Sequence, residues 1–128
     1  MIKSRNADVE AVAVSAVEGK PTYGGDMLVK PLISGDEMMF LEIHYAAGVG
    51  APLHTHTHES IAYVVKGKMK STVGSEEFIM GPGDVCRHPE GVLHGLEGSV
   101  ANQRLGRPRC MISGDGFGGT AGDDRVQG

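Results

Sequence analysis

The chain reads as an all-β protein, and three features of its sequence point that way. Glycine occurs 20 times and proline 6 times in 128 residues, a density suited to short strands joined by tight turns. Apolar and polar residues alternate with period two in residues 37–46 and 68–73, the pattern of strands with one buried face. Stretches with helical periodicity are few and short. The length suits one domain around a single core.

In chain order, residues 9–17 alternate small and apolar side chains and read as an edge strand in preference to a short helix. Residues 26–33 make the next strand. Pro31 has no N–H to give to a ladder, which places that strand at a sheet edge. Ser34-Gly35-Asp36 is the turn after it. In residues 37–46, Met39, Leu41, Ile43 and Tyr45 share the face assigned to the interior, and Met38, Phe40, Glu42 and His44 share the other. Two large apolar groups on that second face call for a cover, from the N-terminal strand or a second subunit. His44 then reads as a surface or interface histidine.

Ile61 to Val65 is a strand rich in β-branched residues that ends at Lys66-Gly67-Lys68. In residues 68–73, Lys68, Lys70 and Thr72 face water while Met69, Ser71 and Val73 face inward. Gly74-Ser75 turns the chain into a strand over residues 76–80. The turn Gly81-Pro82-Gly83-Asp84 leads into another short strand, and residues 95–105 and 109–112 close the set. From Gly114 the sequence GDGFGGTAGDDRVQG has no periodicity and reads as a flexible Gly-rich tail, 114–128.

A net charge of -4 and a pI near 5.8 give no basic footprint, so nucleic acid is not the expected partner. There is no cationic start followed by an apolar core, and no apolar run long enough to span a bilayer, so neither a signal peptide nor a membrane partner is expected. Cys86 and Cys110 are too few for a disulfide scaffold and read as reduced thiols, which implies a cytoplasmic setting.

The chemistry lies in two stretches. Residues 48–67 read GVGAPLHTHTHESIAYVVKG, with His54, His56 and His58 at alternate positions. In an extended chain alternate side chains share a face, so two imidazoles can grip one metal ion. Residues 81–94 read GPGDVCRHPEGVLH and bring His94 behind a Pro-x-Gly turn. Strands about 4.8 Å apart place two such segments within reach of one ion. Two of these alternate histidines together with His94 can therefore hold one divalent transition metal ion among Zn, Ni, Fe and Cu.

These stretches resemble the two motifs of the cupin family, small β-barrels of the double-stranded β-helix or jelly-roll type. The first motif runs Gly, five residues, His-x-His, three or four residues, Glu, six residues, Gly. Gly48, His54, His56 and Gly67 fit it, and Ser60 stands at the Glu position. The second runs Gly, five residues, Pro-x-Gly, two residues, His, three residues, Asn. Gly83, Pro89, Gly91 and His94 fit it, and Gly98 stands at the Asn position. The resemblance implies His54, His56 and His94 as the metal ligands and a cupin barrel over 26–113, with an N-terminal segment 1–25 that pairs across a homodimer. The run His-Thr-His-Thr-His-Glu-Ser also resembles His-x-His-Pro-His-Glu-Gln in small cupins that act on sugar acids, including pectin-degradation proteins that convert unsaturated uronates.

With Ser60 at the Glu position, three candidates remain for the fourth ligand place. They are water or substrate first, then His58, whose parity is right, then Glu59, which needs a bulge to turn inward. His88 shares parity with Cys86 and, if it faces the cavity, is the best acid or base near neutral pH. Tyr63 is the other candidate catalytic group, by hanging its hydroxyl into the cavity. Arg104, Arg107 and Arg109 can grip a carboxylate or sit solvated at the rim. The expected ligand is a small acidic or sugar-like metabolite. The expected chemistry is metal-assisted isomerase, lyase or dioxygenase turnover, and the alternative is a non-catalytic ligand-binding or sensing cupin.

Overall fold

The structure, a computed structural model, describes residues 2–98 and the backbone of 109–114. The tail expectation and most of the strand expected over 95–105 lie outside the described residues. After a 3-10 turn at Asn6–Asp8 come eleven strands: β1 Val12–Val14, β2 Ala16–Val17, β3 Lys20–Pro21, β4 Met27–Ser34, β5 Met39–His44, β6 Ser60–Lys66, β7 Met69–Val73, β8 Glu76–Met80, β9 Val85–His88, β10 His94–Gly98 and β11 Arg109–Gly114. A six-stranded sheet has the order β1-β4-β5-β11-β6-β9, a three-stranded sheet the order β10-β7-β8, and β2-β3 form a small hairpin of their own.

One apolar core joins the two larger sheets. Leu41, Ile43, Ala62 and Val64 enter it from the six-stranded sheet, and Met69, Met80 and Leu96 from the three-stranded one. Burial follows the period-two rule strand by strand: on β6 Ser60, Ala62 and Val64 are buried, and on β7 Met69 and Ser71 are. The turns between strands depend on backbone that few residues adopt. Gly67, at the end of β6, and Gly91, in the Pro-x-Gly turn, have φ of 77° and 74°, a region where a Cβ is strained.

Two expectations change in detail. The strand holding Pro31 is not an edge strand, because β4 lies between β1 and β5. Proline is tolerated because β1 pairs only as far as Val29, and the register with β5 shifts between Pro31 and Ile33. On the outer face of this segment the expected cover of the apolar groups is not found among the described residues, since Met38 and Phe40 are exposed; only Glu42 is buried, under this chain's own N-terminal turn. Asn6 Nδ2 donates to Glu42 Oε1 at 2.8 Å, and Lys30 Nζ donates to Asn6 Oδ1 at 2.6 Å. His44 Nε2 contacts Glu42 Oε2 there, away from the interior. Among the described residues no helix is long and apolar enough to cross a membrane.

Candidate metal centre

Backbone hydrogen bonds, before any side chain acts, bring the two histidine stretches together. His54 N–H donates to the His94 carbonyl at 3.0 Å, and His94 N–H returns the bond to His54 at 2.9 Å. One step along, Gly91 N–H donates to the His56 carbonyl at 2.9 Å. Farther back, Gly50 bridges both Tyr23 and Glu97. A Cβ at Gly50 would lie 2.4 Å from the Tyr23 hydroxyl and 2.9 Å from the Leu96 carbonyl oxygen, so only glycine permits this approach. The His54–His56 segment is thereby pinned along β10.

Ligand atoms of His54, His56 and His94 all lie within 4.8 Å of one another. Each ring has its Nδ1 committed to an acceptor outside the cluster. His54 Nδ1–H donates to the Pro52 carbonyl at 2.7 Å, His94 Nδ1–H to the Val92 carbonyl at 3.3 Å, and His56 Nδ1–H to the Glu18 carboxylate at 2.8 Å. A neutral imidazole that donates through Nδ1 carries its lone pair on Nε2. Nε2 is thus the nitrogen that each ring could offer to a metal ion.

Burial keeps these rings neutral. It pushes His54 down to about 3 and His56 to about 4, with neighbouring histidines adding to the effect. It also lowers His94, against the opposing pull of the Val92 carbonyl. Apolar side chains supply the desolvation: Val17, Met27, Tyr45, Ala51 and Leu96 line the same cavity. The space it offers to water-sized groups is about 20 Å³, room for one water molecule or one ion.

His88 also faces this cavity. It is 1% exposed, and its ring stacks on His94 with centroids 4.2 Å apart and planes 8° apart. Its strand position pairs it directly with Ser60 across β6 and β9. His88 Nδ1 lies 3.0 Å from Ser60 Oγ, and Nε2 lies 3.3 Å from Cys86 Sγ. The expectation of an acid or base near neutral pH is corrected: burial, with His94, His54 and His56 nearby, lowers His88 to about 3. It stays a neutral imidazole across the physiological range.

Three other sequence candidates are not brought to the centre. Tyr63 points out from β6 and is 47% exposed, because the inward positions of that strand are Ser60, Ala62 and Val64. Glu59 faces outward as the period-two rule requires, and Arg87 Nη1 donates to its Oε1 at 3.2 Å. His58 lines a separate open groove with Asp36, Glu37 and Glu59 and contacts Thr57 Oγ1. Neither His58 nor Glu59 is thereby placed beside the triad. Arg104 and Arg107 lie outside the described residues, and Arg109 begins β11 opposite His44 and Lys66. Glu18 was not legible in the sequence. Its only local signal is the Glu18-Gly19 dipeptide, which marks a turn and says nothing of a partner 38 positions away.

A two-sheet barrel with a histidine triad reaching in from two turn-rich motifs defines a class. The chain carries a Cupin domain: residues 41–101 match that family's model, and solved cupin-type structures share the fold. An RmlC-like cupin from Shewanella frigidimarina is 20% identical over 97% of this chain and 95% of its own, with a TM-score of 0.71. The polyketide cyclase RemF from Streptomyces resistomycificus is 21% identical over 89% of this chain and 78% of its own, with a TM-score of 0.73. A predicted oxalate decarboxylase from Thermotoga maritima is 20% identical over 88% of this chain and 96% of its own, with a TM-score of 0.71. No curated protein matches the sequence. The donor set fits a metal ion: three neutral imidazoles, each with a fixed tautomer, around space for one ion.

Proposed function

We propose that this cupin holds one divalent transition metal ion on His54, His56 and His94 and acts on a small acidic or sugar-like metabolite, by isomerase, lyase or dioxygenase chemistry. The observation that carries the proposal is the gathering of the ligand atoms of the three rings within 4.8 Å of one another, with each Nδ1 hydrogen-bonded to an acceptor outside the cluster. Three nitrogen donors favour Zn, Ni, Fe or Cu over Mg, Ca or Mn. A bound ion supplies Lewis acidity toward a substrate oxygen.

The chain's own residues do the rest. Val17, Met27 and Leu96 exclude water, which strengthens every polar contact inside. Ser60 Oγ, held by His88 Nδ1, presents a neutral hydrogen-bonding group where the family motif has a carboxylate. The polyketide cyclase and the predicted oxalate decarboxylase among the fold neighbours support an oxygen-bearing substrate.

The test is incubation of metal-loaded protein with a panel of small hydroxy acids, keto acids and uronates, followed by NMR. Conversion by the wild-type chain and none by His54→Ala is the expected result; equal conversion by both contradicts the proposal. A second reading, a ligand-binding or sensing cupin, is favoured by the neutrality of His88 and by Ser60 at the carboxylate position. On that reading thermal-shift screening finds a ligand that no incubation converts.

The proposal includes a homodimer and a cytoplasmic setting, where Cys86 remains a thiol. The exposed apolar stripe Ile61, Tyr63 and Val65 on β6, with Val85 beside Tyr63 on β9, supports a second copy as its cover. Sedimentation is expected to give twice the 13.5 kDa chain mass and to fall to one chain in Tyr63→Lys.

A further inference from the structure

The β2–β3 hairpin belongs to neither large sheet. Its ladder is internal, Ala16 with Pro21 and Val17 with Lys20, and Thr22 N–H closes it on the Ser15 carbonyl at 2.9 Å. It can therefore lift without breaking a strand pairing of the barrel. Yet it sits directly on the metal centre. Val17 is 2% exposed and lines the cavity. Lys20 Nζ donates to the Leu53 carbonyl at 3.0 Å, one residue before His54.

At the tip, Glu18 and Gly19 both have positive φ, 49° and 77°, as a tight two-residue hairpin turn requires. Asn, Asp or Gly adopts the first of these positions more readily than Glu. Glu18 is the one non-glycine residue with positive φ among the described residues. That backbone places its carboxylate 2.8 Å from His56 Nδ1. The contact joins the hairpin to a proposed metal ligand, at a cavity that Val17 of the same hairpin lines.

We propose that Glu18 is the positioning residue of the centre: its carboxylate accepts the His56 Nδ1–H bond, which sets the ring's tautomer and latches the β2–β3 hairpin over the site. The latch rests on the reading of His54, His56 and His94 as metal ligands. It places a negative charge one hydrogen bond beyond the His56 ring, in a site whose motif carboxylate is replaced by Ser60. Outer partners of this kind orient ligand rings and raise their basicity. Substrate entry then means hairpin opening, with His56 released from Glu18 at each opening.

Two readouts on the full chain test this. In ¹⁵N-labelled protein stripped of metal by chelator, long-range imidazole spectra report the His56 tautomer. The wild-type chain is expected to show protonated Nδ1. Glu18→Ala is expected to lose that preference and to lose exchange protection at the hairpin amides, while Glu18→Gln, whose amide oxygen still accepts, keeps both. In a chelator competition for zinc, Glu18→Ala is expected to bind about 10–100-fold more weakly, as removal of an outer partner typically does, and Glu18→Gln to recover most of the loss. An unchanged His56 tautomer, or zinc affinity unchanged in Glu18→Ala while the wild type binds zinc, overturns the latch. A wild-type chain that binds no zinc defeats the metal reading instead, and the metal-free spectra then decide the latch alone.

Discussion

His94→Ala is expected to abolish metal retention while leaving the barrel folded. The His94 side chain supplies one of three nitrogens, and losing it should weaken binding by more than the roughly 10–100-fold of an outer-partner loss. The fold uses His94 mainly through its backbone. The paired bonds with His54 at 3.0 and 2.9 Å involve only main-chain atoms, and alanine keeps them. The remaining loss is the ring packing against His54 and His88, about 1–3 kcal/mol on the usual scale for a buried truncation. Elemental analysis together with a thermal melt checks both halves. Tyr63→Ala, on the outer face of β6, is the control expected to retain full metal content.

The second large effect is acid sensitivity of the metal-free chain. His54 and His88 lie at about 3 and His56 at about 4 in the fold, against 6.5 when unfolded. Between those limits the unfolded chain binds more protons than the folded one, so stability rises with pH. The contribution is fully present above pH 6.5 and is lost as pH falls toward 4 and 3. At pH 5 each of the three lowers stability by about 2 kcal/mol, together about 6 kcal/mol. A small domain has only about 5–15 kcal/mol in all. Exposed pairs such as Lys70–Glu77 and Arg87–Glu59 contribute at most about 1 kcal/mol each and do not offset this. Urea unfolding at pH 7, 6 and 5 in chelator is therefore expected to show a steep fall, and a flat profile contradicts the buried neutral cluster. Added zinc should raise the midpoint at pH 7, because only the folded state presents the assembled site.

The fold and the triad were legible because both depend on local pattern. Positive-φ glycines, alternation on the strands and the His-x-His spacing are each written within a few residues. Tyr63 was misplaced for a physical reason. Both faces of β6 are apolar, and its larger side chains, Ile61, Tyr63 and Val65, face out while Ala62 and Val64 face in, so hydrophobicity alone could not orient it. Following the parity of Ser60 along the strand would have done so. Pro31 shows the same limit: its strand is interior although the residue itself lies past the end of its neighbour. His88 beside Ser60 is a register contact between β6 and β9, and Glu18 on His56 is a contact between a hairpin tip and a distant loop. Neither has a local signature, so only the folded chain shows them.

X-ray absorption at the zinc edge of the reconstituted protein tests the central claim most directly. The account predicts one zinc per chain, coordinated by three imidazole nitrogens at about 2.0–2.1 Å with oxygen donors completing the shell. A shell with fewer than three imidazoles, or with sulfur at about 2.3 Å from a cysteine such as Cys86, would contradict it.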